Sequence, residues 1–451
     1  MVRADWTAES TVPIQDAEKR QWCCRFQSFS RREVMRVTTL HRRAVMFAAG
    51  MSALCWAAGP SYAAEPVKIG VVAPLTGPAA NSGISLRQGM ELAAEEWNAK
   101  GGVTIDGQKT PVTVIFEDSQ SRPEVGVSAA QKMINRDKID LLIGEAFHSS
   151  VTIALMELAS QFKLPILSGE PVSTEISKKV EADPEKYKLF WKGDFNSEAY
   201  GEALRDVYKS IAATGTFKPK KNTIAFVVED TDYGRSNAEI TADLFKKEGW
   251  NVVALETVPL GHADFYPQLT KMRSLQPDVL VSIFTSVNSG AGLVKQFQEL
   301  GVSALHLGVY YPLRSEFFDQ AGAAAEGLVW VPMQFDAESN KEHASFDKLI
   351  KQKFKTAASS DHAFGHGILN VALGAIDSAG ARDATKISEA IGKTNYKGVH
   401  GTWAFDQKNH TAKSGADFIP VPAAQVQGGK NVVIWPEQRA AGKYQPQPNI
   451  R

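Results

Sequence analysis

The sequence predicts an α/β protein of two Rossmann-like lobes in tandem, each a parallel sheet flanked by helices. Short apolar runs of strand length alternate with stretches whose apolar residues recur at helical spacing. That alternation covers about 100 residues, breaks, and restarts further along the 451-residue chain. The length also suits two lobes better than one.

The elements follow in order. Residues 67–73 form a buried-strand run that ends in the turn residues Pro74, Gly77 and Pro78. A helix over 86–99 is closed by Lys100, Gly101 and Gly102. A strand over 112–116 leads to Glu117 and Asp118, and a helix over 124–136 carries Val125, Val127, Ala130 and Met133 on one side. Strand 140–144, helix 150–162 and strand 165–168 complete three β-α units, the pattern of a parallel sheet covered on both faces. The pattern resumes with a short strand-like run at 189–192 and a helix over 199–213. Lys218, Lys220 and Lys221 mark an exposed basic turn, read as a solvated linker. Strand 223–229, helix 236–248, strand 251–255, helix 265–275 and strand 279–283 follow. Helix 290–300, strand 306–309, helix 313–320 and strand 328–332 close the second series. A long helix over 362–378 comes next, and the chain reads as irregular from Tyr396 onward. The parallel connections are expected to be right-handed.

The N-terminal part reads as an export leader. Arg36, Arg42 and Arg43 precede an apolar run over 44–58, too short to span a bilayer comfortably, and Ser61, Tyr62 and Ala63 offer a small-residue cleavage site. Residues 1–34 are then expected to be an upstream extension, 35–63 a signal peptide cut near Ala63, and the exported chain periplasmic. The paired arginines also permit a twin-arginine route. Leu54 ahead of Cys55 argues against a lipid anchor there.

Composition narrows the function. Cys23, Cys24 and Cys55 all precede the expected cut, which leaves no thiolate chemistry, disulfide or Cys-type zinc site in the remainder. Of the 50 basic and 50 acidic residues, 9 and 5 precede residue 64, leaving 41 and 45 and a net charge of −4. That balance carries no footprint for nucleic acid. No later apolar run reaches the roughly 20 residues of a membrane helix.

In open parallel sheets ligands bind beyond the carboxyl ends of the strands. Five polar or aromatic loops occupy such positions. They include Phe147, His148 and Ser149 before a helix; Ser168, Glu170, Val172 and Ser173; and Tyr233 in the run from Glu229 to Gly234. Thr285 and Ser286 follow one later strand, and Tyr310 and Tyr311 another. A serine at a helix start usually caps it, but the same geometry offers N–H groups and a hydroxyl to a carboxylate. Together the loops point to a cleft that grips a small polar molecule.

Signatures of catalysis or of a bound cofactor are weak. Gly290 and Gly292 follow a strand, but Lys295 stands where a dinucleotide fingerprint needs its third glycine. There is no phosphate loop and no nucleophile elbow. His362 and His366 share a helix face beside Asp361 without the glutamate of a metalloprotease, so packing is the better reading and no metal is expected. Asp118 reads as a turn cap rather than a base.

From Glu65 onward the chain resembles the leucine/isoleucine/valine-binding class of solute receptors for ATP-driven importers, with the type I periplasmic-binding-protein fold. The resemblance rests on Ile69-Gly-Val-Val-Ala-Pro-Leu-Thr-Gly-Pro78 with Gly83, on Asn98-Ala-Lys-Gly-Gly102, and on Glu117-Asp-Ser-Gln-Ser121 before Pro123. Ile143-Gly144 leading to Ser149, Pro165 to Ser168, and Asp232-Tyr-Gly234 add to it. It implies two lobes joined by three crossovers: 64–193 with about 335–398, and 194–334 with about 399–440. It implies binding without chemistry, a small-molecule ligand trapped by hinge closure, recognition by membrane permease subunits, and a monomer. It places Ser149 against a ligand carboxylate, the loop from Ser168 to Ser173 beside it, Tyr233 over the ligand, and Ser82 where leucine receptors stack a Trp. Two positions depart from the pattern. Val172 replaces a Thr that helps hold the amino acid, and Tyr310 replaces the Glu that balances its ammonium. Glu170 or Glu145 compensates, or the ligand lacks the amino group and Phe147, Phe284, Tyr310 and Tyr311 enclose an aromatic or aliphatic acid. The expected ligand is therefore a small amino acid or a related organic acid or amide. A sensor module of the same fold remains open from the residues alone.

Overall fold

The computed structural model describes residues 65–450; the extension, the leader, its cleavage site and the three cysteines lie outside the described residues. Strand β1 (Val67–Ala73) sits inside a five-stranded sheet of order β4-β1-β5-β6-β7, with β4 (Val112–Asp118), β5 (Leu141–Ile143), β6 (Ile166–Leu167) and β7 (Phe190–Trp191). Every pairing in it is parallel. Helices α1 (Ala80–Ala99), α2 (Pro123–Lys132), α3 (Ser149–Leu155), α4 (Glu157–Phe162) and α5 (Thr174–Ala182) form its connections. A hairpin, β2 (Val103–Ile105) with β3 (Gln108–Thr110), and helix α5 have no counterpart in the expected pattern. Helix α1 starts six residues earlier than its apolar periodicity suggests, through the polar run Ala80-Asn-Ser-Gly-Ile-Ser85.

Helix α6 (Ser197–Ala213) opens the second lobe. Its sheet holds β8 (Thr223–Glu229), β9 (Asn251–Val258), β10 (Val279–Phe284), β11 (Leu305–Tyr310) and β12 (Val329–Val331), all parallel, flanked by α7 (Asp232–Lys247), α8 (Tyr266–Leu275), α9 (Val287–Glu299) and α10 (Ser315–Ala321). Strands β8, β10 and β11 are buried at every position, as expected of a sheet covered on both faces. Here the structure corrects the sequence reading. The chain after Tyr396 is not irregular: it forms a hairpin, β13 (Tyr396–Gly398) with β14 (Gly401–Trp403), and then β15 (Ala423–Gln427) and β16 (Lys430–Trp435). The last two pair antiparallel at the edge of the second sheet, giving the order β16-β15-β12-β11-β10-β8-β9. The second sheet is therefore mixed rather than purely parallel.

Between β12 and β13 the chain returns to the first lobe as α11 (Lys341–Phe354), α12 (Ser360–Ala379) and α13 (Ala384–Gly392). Helix α12 crosses α1 at very short range because each supplies a glycine to the other. A Cβ on Gly89 would lie 2.0 Å from the His362 carbonyl oxygen, and one on Gly365 would lie 2.1 Å from that of Leu86. Neither obstacle is a flexible side chain, so the helices must separate to admit a methyl. Gly365→Ala is expected to cost about 3 kcal/mol in urea unfolding, the upper range for overpacking. A loss under about 0.5 kcal/mol, an ordinary surface effect, would show that the crossing yields.

A single buried cluster runs from Val67, Ile69 and Val71 of the first sheet through Phe147, Phe195, Tyr200 and Tyr310 to Ile224, Phe226 and Val228 of the second. The carboxyl ends of both sheets thus meet across one shared interior.

Candidate functional site

A small cleft lies where those strand ends face each other. Its walls are Phe147, Glu170, Asp194, Tyr200, Tyr233, Thr285, Tyr310, Gln334 and Ser360. The first lobe supplies Phe147 and Glu170 from the loops after β5 and β6, and Ser360 from the start of α12. The second supplies Tyr200, Tyr233, Thr285 and Tyr310 from α6, α7 and the ends of β10 and β11. Asp194 and Gln334 lie on the crossovers that follow β7 and β12.

Tyr310 sits at the centre of the interlobe contacts. Its backbone (φ 76°, ψ −57°) lies in a positive-φ turn region that is costly for an aromatic residue. The hydroxyl donates to Asp361 Oδ1 at 2.8 Å and lies 3.4 Å from Ser82 Oγ. The ring stands 5.5 Å from Phe147. Four residues on, Arg314 Nη1 donates to Asp361 Oδ2, and Nη2 donates to Ser85 Oγ at 3.0 Å. This ion pair is almost wholly buried and joins the lobes, Arg314 from the second and Asp361 from the first. Burial opposes the charge on Arg314, but Asp361 and Tyr310 outweigh it and hold the guanidinium protonated. Burial pushes Asp361 upward, with Arg314 and Tyr310 opposing.

Other carboxylates near the cleft are occupied. Glu229 accepts from the Thr285 amide at 2.8 Å and from its hydroxyl. Glu145 is buried and accepts from Ser119 Oγ at 2.6 Å and from the His148 amide, so it does not serve the cleft. Glu170 differs: its Oε2 is buried without a partner. Burial pushes its carboxyl well up, and the negative charges of Asp361 and Asp194 push it further. Asp194 is raised to about 7, by burial and against the pull of Lys192.

Five of the residues expected from the sequence line the cleft: Phe147, Glu170, Tyr233, Thr285 and Tyr310. Ser82 touches it through the Tyr310 hydroxyl. The others stand behind its wall. Ser149 Oγ accepts from the Ser173 amide at 3.2 Å, and Ser173 Oγ caps α5. Ser168 Oγ accepts from the Gly193 amide at 3.1 Å. The Val172 carbonyl accepts from Ser197 Oγ, and Ser286 caps α9. His148 is buried with both ring nitrogens unpartnered, and its Nδ1 is 3.5 Å from Glu145. Tyr311 and Phe284 turn into the second-lobe core, where Tyr311 bonds to Ser282 Oγ at 2.7 Å, so neither encloses a ligand. The sequence reading missed Asp194, Tyr200, Gln334 and Ser360. Asp194 lies three residues past the end of β7, and the strand-end rule applied once more would have reached its loop.

Asp118 caps the turn after β1, accepting from the Leu75, Thr76 and Gln120 amides. His362 bonds to Gln88 and His366 to Glu96, both as packing contacts. Among the described residues no group of three or more His, Cys, Asp or Glu is placed to hold a metal. No described helix is long and apolar enough to cross a membrane.

Comparison with known proteins agrees with this architecture. The family model for periplasmic binding proteins matches residues 66–430. The chain belongs to the periplasmic binding protein family. Leu/Ile/Val-binding protein homolog 2 of Brucella abortus is 26% identical over 370 residues, covering 81% of this chain and 92% of that protein. Among solved structures, a leucine binding protein of Thermotoga maritima superposes with a TM-score of 0.68 at 23% identity, covering 81% of this chain and 97% of that one. A solute binding protein of an ABC transporter from R. palustris, solved with benzoate, gives 0.69 at 18% identity and covers 86% and 99%. At such identities the structures establish the fold. They leave ligand chemistry to the residues of this cleft.

Proposed function

We propose that this periplasmic binding protein is the solute-binding component of an ATP-driven importer for a small amino acid or a related organic acid or amide. The observation that carries the reading is the cleft itself. It is small, enclosed, and walled by both lobes and by two crossovers, so a bound solute touches both halves only when they are together. The named specificities of relatives support the class. The Brucella protein is called a Leu/Ile/Val-binding homolog, and a Pseudomonas aeruginosa relative, 25% identical over 357 residues, is called a leucine-, isoleucine-, valine-, threonine- and alanine-binding protein. In this reading the exported monomer works in the periplasm. Its lobes hinge near Gly193 and Gln334, and the closed form is handed to permease subunits of the membrane.

A melting-temperature screen of amino acids, aliphatic and aromatic acids, and amides tests it. One chemical class should stabilise the protein by about 2.7 kcal/mol at a hundredfold excess over Kd. The compound should bind one to one and be recovered unchanged. Conversion of the compound, or no stabilisation across the screen, would contradict the proposal.

A further inference from the structure

We infer that the solute presents a small cationic group, an ammonium or amidinium, to Glu170 and Asp194, and that bare carboxylic acids are rejected. The inference rests on the solute-binding reading and names the charge of its ligand.

The argument is one of charge balance in an enclosed space. Among the described residues lining the cleft there is no Lys, Arg or His, but there are two carboxylates. The charges nearby do not neutralise both. Arg314 is committed to Asp361 across the lobes. Lys192, fully buried behind the wall, directs its Nζ to the carbonyl oxygens of Asp194 and Phe195 and to Asn196 Oδ1, not to a carboxylate. When all are ionised, Glu170, Asp194 and Asp361 outnumber Arg314 and Lys192 by one, a balance that a monovalent cation would complete. Asp194 accepts the Phe195 amide at 2.8 Å, and Glu170 Oε2 has no partner.

The remaining walls suit the same guest. Phe147, Tyr200, Tyr233 and Tyr310 give four aromatic faces, the surfaces that attract ammonium groups. The buried Tyr233 hydroxyl is unpartnered and borders the cleft as a free polar contact. Burial raises both acids, and the negative charges of Asp361 and Asp194 raise Glu170 further, against the weaker pull of Arg314 on Glu170 and of Lys192 on Asp194. A carboxylate guest would add a third negative charge to that space.

A matched trio of equal shape isolates the head group: isoamylamine, isoamyl alcohol and 4-methylpentanoate, titrated against the described chain by melting temperature. The amine should raise it; the alcohol and the acid should not. Its affinity should increase from about pH 6 to about pH 8 as Asp194 ionises. Tyr200, Tyr233, Tyr310, Asp361, Arg314, Lys192 and Glu198 are the other titratable or charged groups around the two acids. Glu170→Gln and Asp194→Asn should each weaken amine binding about tenfold or more. Glu170→Gln should not lower the melting temperature of the free protein, since its Oε2 has no partner to lose. The inference fails if the acid stabilises as well as the amine, if none of the three does, or if Glu170→Gln binds the amine undiminished. Stabilisation by the acid with lobe closure would overturn the charge assignment and leave the solute-binding reading standing. Chemical conversion of the amine would do the reverse.

Discussion

Arg314→Met is expected to hold the cleft open and to weaken solute binding by roughly two to four orders of magnitude. Arg314 lies just beyond β11 in the second lobe, and its partners Asp361 and Ser85 lie on α12 and α1 in the first. The contact exists only when the lobes are together. Removing the guanidinium leaves Asp361 buried with the Tyr310 hydroxyl, and stranding one member of a buried pair costs about 3–5 kcal/mol. The protein can avoid that cost without unfolding, by parting its lobes and wetting the carboxylate. The loss should therefore appear in the closed state, as an affinity lower by the same free energy. Each lobe's own stability should hardly change. Adding Asp361→Leu should restore much of the affinity, because an apolar pair of similar bulk often replaces a buried ion pair at little cost. Titration of the stabilising solute against both variants checks this. Unchanged affinity in Arg314→Met would show that the ion pair does not contribute to closure.

Lys192→Met should destabilise the protein by about 2–4 kcal/mol, and by more at alkaline pH. Lys192 follows β7 at the first crossover. Its amide donates to the His410 carbonyl at 2.8 Å, and its carbonyl accepts from Ala412 at 2.9 Å, which ties the crossover to the C-terminal return. Its ammonium serves three acceptors that no other side chain is seen to serve among the described residues. Each buried acceptor left unsatisfied costs about 1 kcal/mol or more. Burial pulls the ammonium down to about 7, with Asp194 and Glu198 opposing. The unfolded chain holds that proton up to its ordinary value near 10.5. Between the two values the unfolded state binds more protons, so the native protein gains stability as pH rises. Asp194 has the opposite slope below about 7, because there the folded state keeps the proton. The deficit of Lys192→Met should therefore grow from about pH 7 to about pH 9 in urea unfolding. A deficit that shrinks over that range would contradict the assignment.

Much of the fold is legible in the sequence because the buried strands are short apolar runs and their helices have one apolar side. β1, β8 and β10 stand out for that reason. What escapes detection has a weaker pattern. β15 reads Ala-Ala-Gln-Val-Gln and is buried by its place between β12 and β16, not by its composition. Helix α11 is rich in lysine and buries only His343, Phe346 and Ile350. The site shows the same division. Residues directly after strands could be anticipated, and Phe147, Glu170, Tyr233, Thr285 and Tyr310 reach the cleft. The Arg314–Asp361 pair is 47 positions apart and depends on the return of α12 to the first lobe, which no local spacing encodes. Ser173 and Ser286 do the ordinary work of helix starts, and Ser149 accepts the Ser173 amide from the neighbouring loop, all behind the wall.

Small-angle scattering, recorded with and without whichever solute raises the melting temperature, tests closure of two lobes around a guest most directly. Saturation should shrink the radius of gyration and leave the solute chemically intact. Saturable binding with superimposable scattering curves would mean that the halves do not move to enclose what they bind.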